Sequence, residues 1–505
     1  MHRFIPMTLL IAGLFAGAVC QANVGGDGEH VRPVDATRHA IDIANNFLKN
    51  NDVTDAAGAL DGAINSAGFT DLSDDEKYRV LSFSGNLAIE RGDDATAHRW
   101  LIEATGFAQA NGVDWHRRLN AAFDLADYAD SAHCIAVIVR RWPRSMDQIN
   151  NVAIYRIEAH LRHDPALGTA NLEMLDGLFD AAWSDDEVQP ARFWVDLAQL
   201  LLERHQSRRA ATVAARIDSP RVAVDLLVDK RFDALTRGKE RDFDVDRIAT
   251  ANIARLQARS DRSKDRLQPL IDLQYALLDK CKFARALAIS DAVIARVADV
   301  DGATVYTDFV DHYIWILDDR SRALQGLGRW DDAVAQQRKA ARRPEGGQMN
   351  VSQSLNLGQL YADLDRPDDA LDAVSELGSM SPYGRMQLER IRLTVALERG
   401  DAKAVGSHVA YLREHRADAI ETYETALLAT NRLDEASDLL IERLRNDSWR
   451  RAAVAAMQDY AAIARSPRQQ QVETHLRAVI ARPQVQRALD KVGRIIAVHL
   501  APPSH

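Results

Sequence analysis

The chain has 505 residues, of which 47% are hydrophobic, 27% charged and 6% aromatic, and its formal net charge is −10. The apolar fraction excludes a disordered chain, while 26 Gly and 14 Pro are too few for a β-rich or collagen-like design. Three Cys exclude a disulfide framework, and the negative charge argues against a nucleic-acid binder, since phosphate contacts need clustered Lys and Arg.

Residues 1–22 have the pattern of a secretory signal peptide. Arg3 precedes an uninterrupted apolar run over residues 8–19, and small residues and a Gly-rich polar stretch follow. The run is too short for a comfortable membrane-spanning helix. We therefore predict cleavage after Ala22, a flexible segment over residues 23–35, and a mature chain without a transmembrane span. The predicted location is the periplasm or another part of the bacterial cell envelope.

Cys20 supplies an alternative to free export. The residues Gly17-Ala18-Val19-Cys20 resemble the lipid-attachment motif of bacterial lipoproteins, in which the Cys becomes the lipidated first residue. Val19 departs from that motif, which has a small residue at this position. Under this alternative the protein is tethered to a membrane leaflet through Cys20.

Residues 36–220 are predicted to form a first array of helices. Apolar residues recur at spacings of three and four and are separated by short polar breaks, which is typical of amphipathic helices. The pattern itself repeats, since Ala97 and Ala132 mark equivalent positions 35 residues apart. Cys134 and Cys281 lie in different repeat units, so each is predicted to be a small buried side chain without a disulfide.

Residues 221–265 interrupt this repeat. Pro220 and Gly238 flank a stretch in which charges of both signs alternate densely. We predict short helices and a loop there, connecting the first array to a second one over residues 266–447.

The second array contains the clearest repeat unit, Val351–Arg385. Gly358 and Ala370 are small enough to let two helices approach closely. Pro382 is predicted to end the second helix, because proline lacks the backbone donor that a helix needs. The alanine of the second helix recurs at intervals of 37, 34 and 32 residues, as Ala333, Ala370, Ala404 and Ala436.

This unit resembles the tetratricopeptide repeat (TPR), which consists of two antiparallel helices in about 34 residues. The chain also resembles secreted bacterial proteins of this type that have Ala- and Arg-rich compositions. The resemblance implies an all-α fold, namely an α-solenoid of antiparallel helix hairpins.

Residues 448–505 are predicted to form a helical cap. They hold nine Lys and Arg against three acidic residues. A repeat array needs an atypical terminal unit to cover its last apolar face. The alternative is a basic surface that docks on an anionic membrane or partner.

The sequence lacks the common motifs of catalysis and metal binding, including phosphate-binding loops, G-x-S-x-G, H-E-x-x-H and C-x-x-C. Asp308 and His312 are four residues apart on one predicted helix, but a metal would need a third ligand that nothing identifies. We predict that the protein is not an enzyme and needs no cofactor or metal. An enzyme would need a pocket near residues 221–265.

The TPR resemblance implies that the first helix of each hairpin lines a concave groove. The predicted groove residues are polar with a few apolar anchors, which suits a protein or peptide partner. They are Arg192, Gln199, Glu203, Trp315, Asp318, Arg322, Gln325, Ser352, Gln359 and Asp363. We therefore predict a non-catalytic interaction protein. The alternative function is an assembly or export component, for exopolysaccharide or for a secretion system, anchored through Cys20.

Overall fold

The computed structural model describes residues 32–344 and 350–503. The predicted signal peptide, its cleavage site, Cys20 and most of the segment over residues 23–35 lie outside the described residues. The described residues are almost entirely helical, and the predicted all-α fold is confirmed. The helices are α1 (Pro33–Lys49), α2 (Val53–Ile64), α3 (Asp74–Glu90), α4 (Asp94–Thr105), α5 (Gly112–Asp124), α6 (Tyr128–Arg141), α7 (Asn151–His163), α8 (Gly168–Asp180), α9 (Ala191–Glu203), α10 (Ser207–Ala214), α11 (Pro220–Val228), α12 (Asp233–Thr236), α13 (Val245–Arg262), α14 (Gln268–Asp279), α15 (Phe283–Arg296), α16 (Gly302–Val305), α17 (Phe309–Gly326), α18 (Trp330–Ala341), α19 (Val351–Asp363), α20 (Pro367–Ala373), α21 (Pro382–Glu398), α22 (Ala402–Glu414), α23 (Ile420–Ala429), α24 (Leu433–Arg445), α25 (Asp447–Ala456), α26 (Pro467–Ile480) and α27 (Pro483–Val492).

Consecutive helices pair as antiparallel hairpins, and we call their members the A helix and the B helix. The hairpins are α1/α2, α3/α4, α5/α6, α7/α8, α14/α15, α17/α18, α19/α20, α21/α22 and α23/α24. In eight of them the A helix ends at a residue with positive φ, a left-handed conformation that commonly terminates helices. These residues are Asn51, Gly92, Ala126, Cys281, Gly328, Asp365, Gly400 and Asn431.

Small residues at the crossing of A and B helices explain the close packing of each hairpin. A Cβ added to Gly358 on α19 would lie 2.7 Å from Val374 Cγ1 and 3.3 Å from the carbonyl oxygen of Ala370. Ala370 is itself fully buried, as are Ala333 and Ala436. The prediction from Gly358 and Ala370 is thus confirmed, although Ala404 is only half-buried.

Two predictions about single residues are wrong. Pro382 does not end the B helix α20, which stops at Ala373; it is the first residue of the next A helix, α21. A proline fits there because the first-turn amide has no partner within the helix. Cys281 is half-buried at the left-handed position of the α14/α15 turn, whereas Cys134 is buried as predicted, and both thiols are free.

The chain divides into two compact units, Met1–Leu200 and Leu201–His505. The predicted connection over residues 221–265 lies inside unit 2, where it holds α11, α12 and the long helix α13. In unit 1 the helices α1 to α4 share one apolar cluster that includes Leu60, Leu81 and Trp100.

The core of unit 2 joins parts of the chain that are far apart in sequence. One apolar cluster contains Val228 of α11, Leu427 of α23 and Leu500 near the C-terminus. The predicted C-terminal cap also contains a short parallel strand pair, β1 (Asp459–Tyr460) and β2 (Ala497–Val498), in which Asp459 lies opposite Ala497. The last fifty residues are therefore part of the core of unit 2.

Candidate partner-binding face

The A helices α17 and α19 carry seven of the ten predicted groove residues. Trp315, Arg322 and Gln325 of α17 are half-buried, as are Ser352, Gln359 and Asp363 of α19. We call the face formed by these six residues the inner face of unit 2.

Asp318 differs from the other predicted groove residues because it is only 5% exposed. Its Oδ1 accepts hydrogen bonds from Gln337 Nε2 of α18 at 2.9 Å and from Asn356 Nδ2 of α19 at 3.0 Å. Gln337 also donates to Gln353 Oε1 at 2.7 Å. Buried polar groups that are satisfied in this way fix the packing of neighbouring helices. Asp318 therefore supports the inner face from behind and ties three helices together.

Asp319 lies next to Asp318 but faces another helix. It is fully buried, and burial raises the pKa of its carboxyl well above the ordinary value, with Arg322 as the strongest opposing charge. Arg322 Nη1 lies 3.3 Å from Asp319 Oδ1, and its guanidinium carbon is 5.4 Å from the ring centre of Tyr275 on α14. Arg322 thus covers Asp319 and joins α17 to α14 at the surface.

Sequence reasoning missed Tyr275 and Asp319 as parts of this face. Asp318 and Asp319 are adjacent acids in the sequence, but consecutive side chains point about 100° apart around a helix. Only the neighbouring helices decide which side chain meets α19 and which meets α14. Tyr275 was visible only as one member of an apolar helical run.

At the end of α19, two amides bind one carboxylate. Asp363 accepts a hydrogen bond from Gln359 Nε2 at 2.7 Å and another from Gln469 Nε2 of α26 at 2.8 Å. Burial raises the pKa of Asp363. The contact with Gln469 spans 106 residues of sequence, so one edge of the inner face is formed by the C-terminal region.

The C-terminal region follows the A-to-B turns of unit 2, and we call residues 461–503 the strap. Ala464 lies beside the turn residue Gly328. Arg468 pairs with Asp365 in the next turn at 2.6 Å, and His475 Nδ1 lies 2.7 Å from the carbonyl oxygen of Leu428. Each contact is made to a later hairpin, so the strap crosses the array edge from one hairpin to the next.

The strap then returns to the first helices of unit 2. Arg494 Nη1 donates to the carbonyl oxygen of Leu227 at 2.7 Å, and the backbone amide of Arg494 donates to the carbonyl oxygen of Val228 at 3.0 Å. The amide of Ala501 donates to the carbonyl oxygen of Asp279 at 2.7 Å. The first and last hairpins of unit 2 are thus joined through the strap.

The positive charge of the C-terminal region is largely paired within the protein. At least six of its nine basic residues form ion pairs with carboxylates of unit 2, namely Arg450, Arg465, Arg468, Arg477, Arg482 and Arg494. Ion pairing leaves less free charge for an anionic membrane or partner. The C-terminal region thus contacts both the last and the first helices of unit 2.

The three predicted groove residues of α9 share one face of that helix. Arg192 and Glu203 are exposed and Gln199 is half-buried, and all three engage neighbouring groups. The unit boundary falls within α9, after Leu200.

The residues considered for a metal or an enzyme pocket have structural roles. Asp308 accepts the backbone amides of Leu267 and Gln268 at 2.7 and 3.0 Å, and so caps α14. Across the described ranges, no group of three or more His, Cys, Asp or Glu is arranged to hold a metal ion. Near residues 221–265, Asp233 pairs with Arg494 and Asp246 with Lys280.

No helix within residues 32–344 and 350–503 is long and apolar enough to cross a membrane.

The chain was also compared with known families, curated proteins and solved structures. No family model matches the chain, and no curated protein matches it. The chain is similar to a chain of the APC/C hetero-tetramer Cut9–Hcn1, with 12% identity over 91% of this chain and 96% of that chain and a TM-score of 0.28. It is also similar to the TPR domain of P58(IPK) (13% identity, 90% and 99% coverage, TM-score 0.20) and to yeast Tom70 (13%, 90% and 99%, TM-score 0.25).

The described residues form an all-α array of repeated helix hairpins. This description rests on the recurring left-handed A-to-B turns and on the close packing at Gly358 and Ala370.

Proposed function

We propose that the protein is a non-catalytic interaction module of the bacterial cell envelope that binds a partner protein or peptide on the inner face of unit 2. One observation carries the proposal. The half-buried side chains of Trp315, Arg322 and Gln359 project from helices whose spacing is fixed from behind by the buried Asp318 network. A rigid face loses little conformational freedom on binding, which favours affinity.

The chemistry of the inner face favours an extended segment or a helix with mixed polarity. Trp315 and Arg322 are residue types that often dominate binding energy at interfaces, and the half-buried amide of Gln325 can bind backbone groups of a partner. The strap borders the inner face on the side of the A-to-B turns, because Gln469 of the strap already donates a hydrogen bond to Asp363.

Site-specific photocrosslinking in the native envelope tests this function. A crosslinker at Gln325, on the inner face, is expected to capture one defined partner, while one at the exposed Lys339 of α18 is not. The captured protein, once purified, should bind the Arg322→Ala variant about 10- to 100-fold more weakly, as expected for an interface anchor. Lys339→Ala is the matched control because it also removes one exposed positive charge, and it should bind normally. Equal weakening by both variants, or equal capture at both positions, would reject the inner face as the site.

The predicted export motif supports the envelope location, and Cys20 favours a second candidate function. If Cys20 is lipidated, the chain would serve as a membrane-anchored component of an assembly or export system. Mass spectrometry of the mature N-terminus separates the two candidates. A lipidated Cys20 supports the anchored component, and a chain starting at Asn23 supports the free interaction module.

A further inference from the structure

Two buried carboxyl groups face each other in unit 1. Glu158 of α7 is 2% exposed and Asp196 of α9 is 6% exposed. Arg162 Nη1 lies between them, 3.3 Å from Glu158 Oε2 and 3.6 Å from Asp196 Oδ2. The guanidinium group of Arg162 therefore lies close to both acids at the joint between α7 and α9.

The arrangement favours a bound proton. Both carboxyl groups lie close to the same Arg162 Nη1 atom, at 3.3 and 3.6 Å, and two ionised carboxylates can only accept hydrogen bonds. Moreover, the Oε1 atom of Glu158 is buried without a hydrogen-bond partner. A proton held by Glu158 would remove one buried negative charge and supply the missing donor.

The charged groups around the pair come from the helices packed on it. Arg162 belongs to α7, while Arg192 and Asp196 belong to α9. His163 at the end of α7 lies close to both arginines, and burial together with these positive charges lowers its pKa. The helices α6 and α8 also pack on α7. Among their charged side chains, His133 and Arg140 of α6 both pair with Glu173 of α8.

We propose that Glu158 holds a proton in the folded protein and thereby makes the joint between α7 and α9 sensitive to pH. In the protonated state a single negative charge faces Arg162. Loss of the proton places two buried negative charges against each other, which weakens the joint. Because Arg192 and Gln199 also lie on α9, this part of the predicted groove would respond to pH.

The electrostatics of Glu158 support this proposal. Burial, and then the negative charge of Asp196, raise the pKa of Glu158 to about 7, from an ordinary value of 4.5. Between these two pH values, Glu158 therefore holds a proton in the folded protein but not in the unfolded chain. Its contribution to stability is fully present below the unfolded pKa and is lost as the pH rises through the folded pKa.

Carbon NMR of protein labelled at glutamate side-chain carboxyls tests the proton directly. The resonance that disappears in Glu158→Gln should titrate in the wild type with a midpoint near pH 7. In Asp196→Asn the midpoint should move to lower pH, because the repelling charge is gone and the arginines remain. This second variant also keeps the test valid if Glu158→Gln does not fold.

Thermal unfolding measures the linkage without any partner. As pH rises from 5 to 7.5, the unfolding midpoint of unit 1 should fall further in the wild type than in Glu158→Gln. Glu103→Gln at an exposed position of α4 is the control, and it should behave like the wild type. A Glu158 midpoint below pH 5, or an unchanged midpoint in Asp196→Asn, would overturn the proposal. Neither outcome would affect the proposed binding at the inner face of unit 2.

Discussion

The two units of the protein are built from the same hairpins but are held together differently. In unit 1, Tyr78 donates to Asp114 across 36 residues and His133 pairs with Glu173 across 40 residues, so each contact joins neighbouring hairpins. In unit 2, Arg494 bonds to Leu227 across 267 residues. An array with neighbour contacts alone gains stability hairpin by hairpin and can open from its ends. The strap joins both ends of unit 2, so we expect that unit to unfold as a whole.

Removal of residues 448–505 should have the largest effect. It deletes the buried side chains Val454, Leu489 and Leu500 from the core of unit 2. Three such side chains contribute more than about 5 kcal/mol together. We expect the transition of unit 2 in urea to lose cooperativity and α11 to lose protection from hydrogen exchange. Truncation after Pro503 is the control and should leave both properties intact. A sharp, unshifted transition in the long truncation would show that the strap is dispensable.

The paired variants Leu500→Ala and Leu101→Ala compare the two units directly. Both leucines are fully buried, so each change should lower the free energy of unfolding by about 2–5 kcal/mol. Leu500→Ala should increase hydrogen exchange both in α11 and in α23, at the two ends of unit 2. Leu101→Ala in α4 should affect only the adjoining hairpins of unit 1. The comparison fails if both variants act only on their nearest helices.

Gly358→Ala should disturb a single hairpin contact by a smaller amount. The added methyl would lie 2.7 Å from Val374 Cγ1, and such overpacking costs about 1–3 kcal/mol. Gly406→Ala on α22 is the control, because nothing lies within 4 Å of its added methyl. That change should be neutral or stabilising, since alanine favours helix. Chemical denaturation of both variants measures the difference, and equal stability would contradict the proposed close crossing of α19 and α20.

Arg468→Gln should have the smallest effect. Arg468 pairs with Asp365 at 2.6 Å, but the Asp365 side chain is half exposed, and such ion pairs are worth about 0–1 kcal/mol. The expected loss of stability should shrink further at high salt, which screens exposed charges. A loss as large as that of Leu500→Ala would mean that ion pairs, and not apolar contacts, hold the strap.

The sequence predicted the hairpins because their cause is local. Gly358 and Ala370 sit at fixed spacings within one unit, and close helix packing needs small residues at those positions. Pro382 was misread because proline is compatible both with the end of one helix and with the first turn of the next. The residues between Ala373 and Pro382 are not helical, so Pro382 lies in the first turn of α21 and not at the end of α20.

The strap could not be predicted, because its contacts depend on the path of the whole unit. Arg494 and Leu227 carry no pattern that links them across 267 residues. The excess of basic residues after Ser448 was visible, but some of its acidic partners are distant in sequence: Asp233 lies 261 residues from Arg494, and Asp434 lies 48 residues from Arg482. For the candidate site, the sequence indicated the helices α17 and α19. The orientation of Asp318 and the contact of Gln469 with Asp363 depend on tertiary packing and could not be predicted.

Hydrogen exchange of the backbone amides of Arg494 and Ala501 in the full chain tests the closure of unit 2 most directly. These amides donate to the carbonyl oxygens of Val228 and Asp279, at the beginning of the unit. Closure predicts that both exchange as slowly as the amides of the buried helix α23, and that all of them become exposed in the same unfolding event. Exchange at the rate of an unstructured peptide, with α23 still protected, would contradict it.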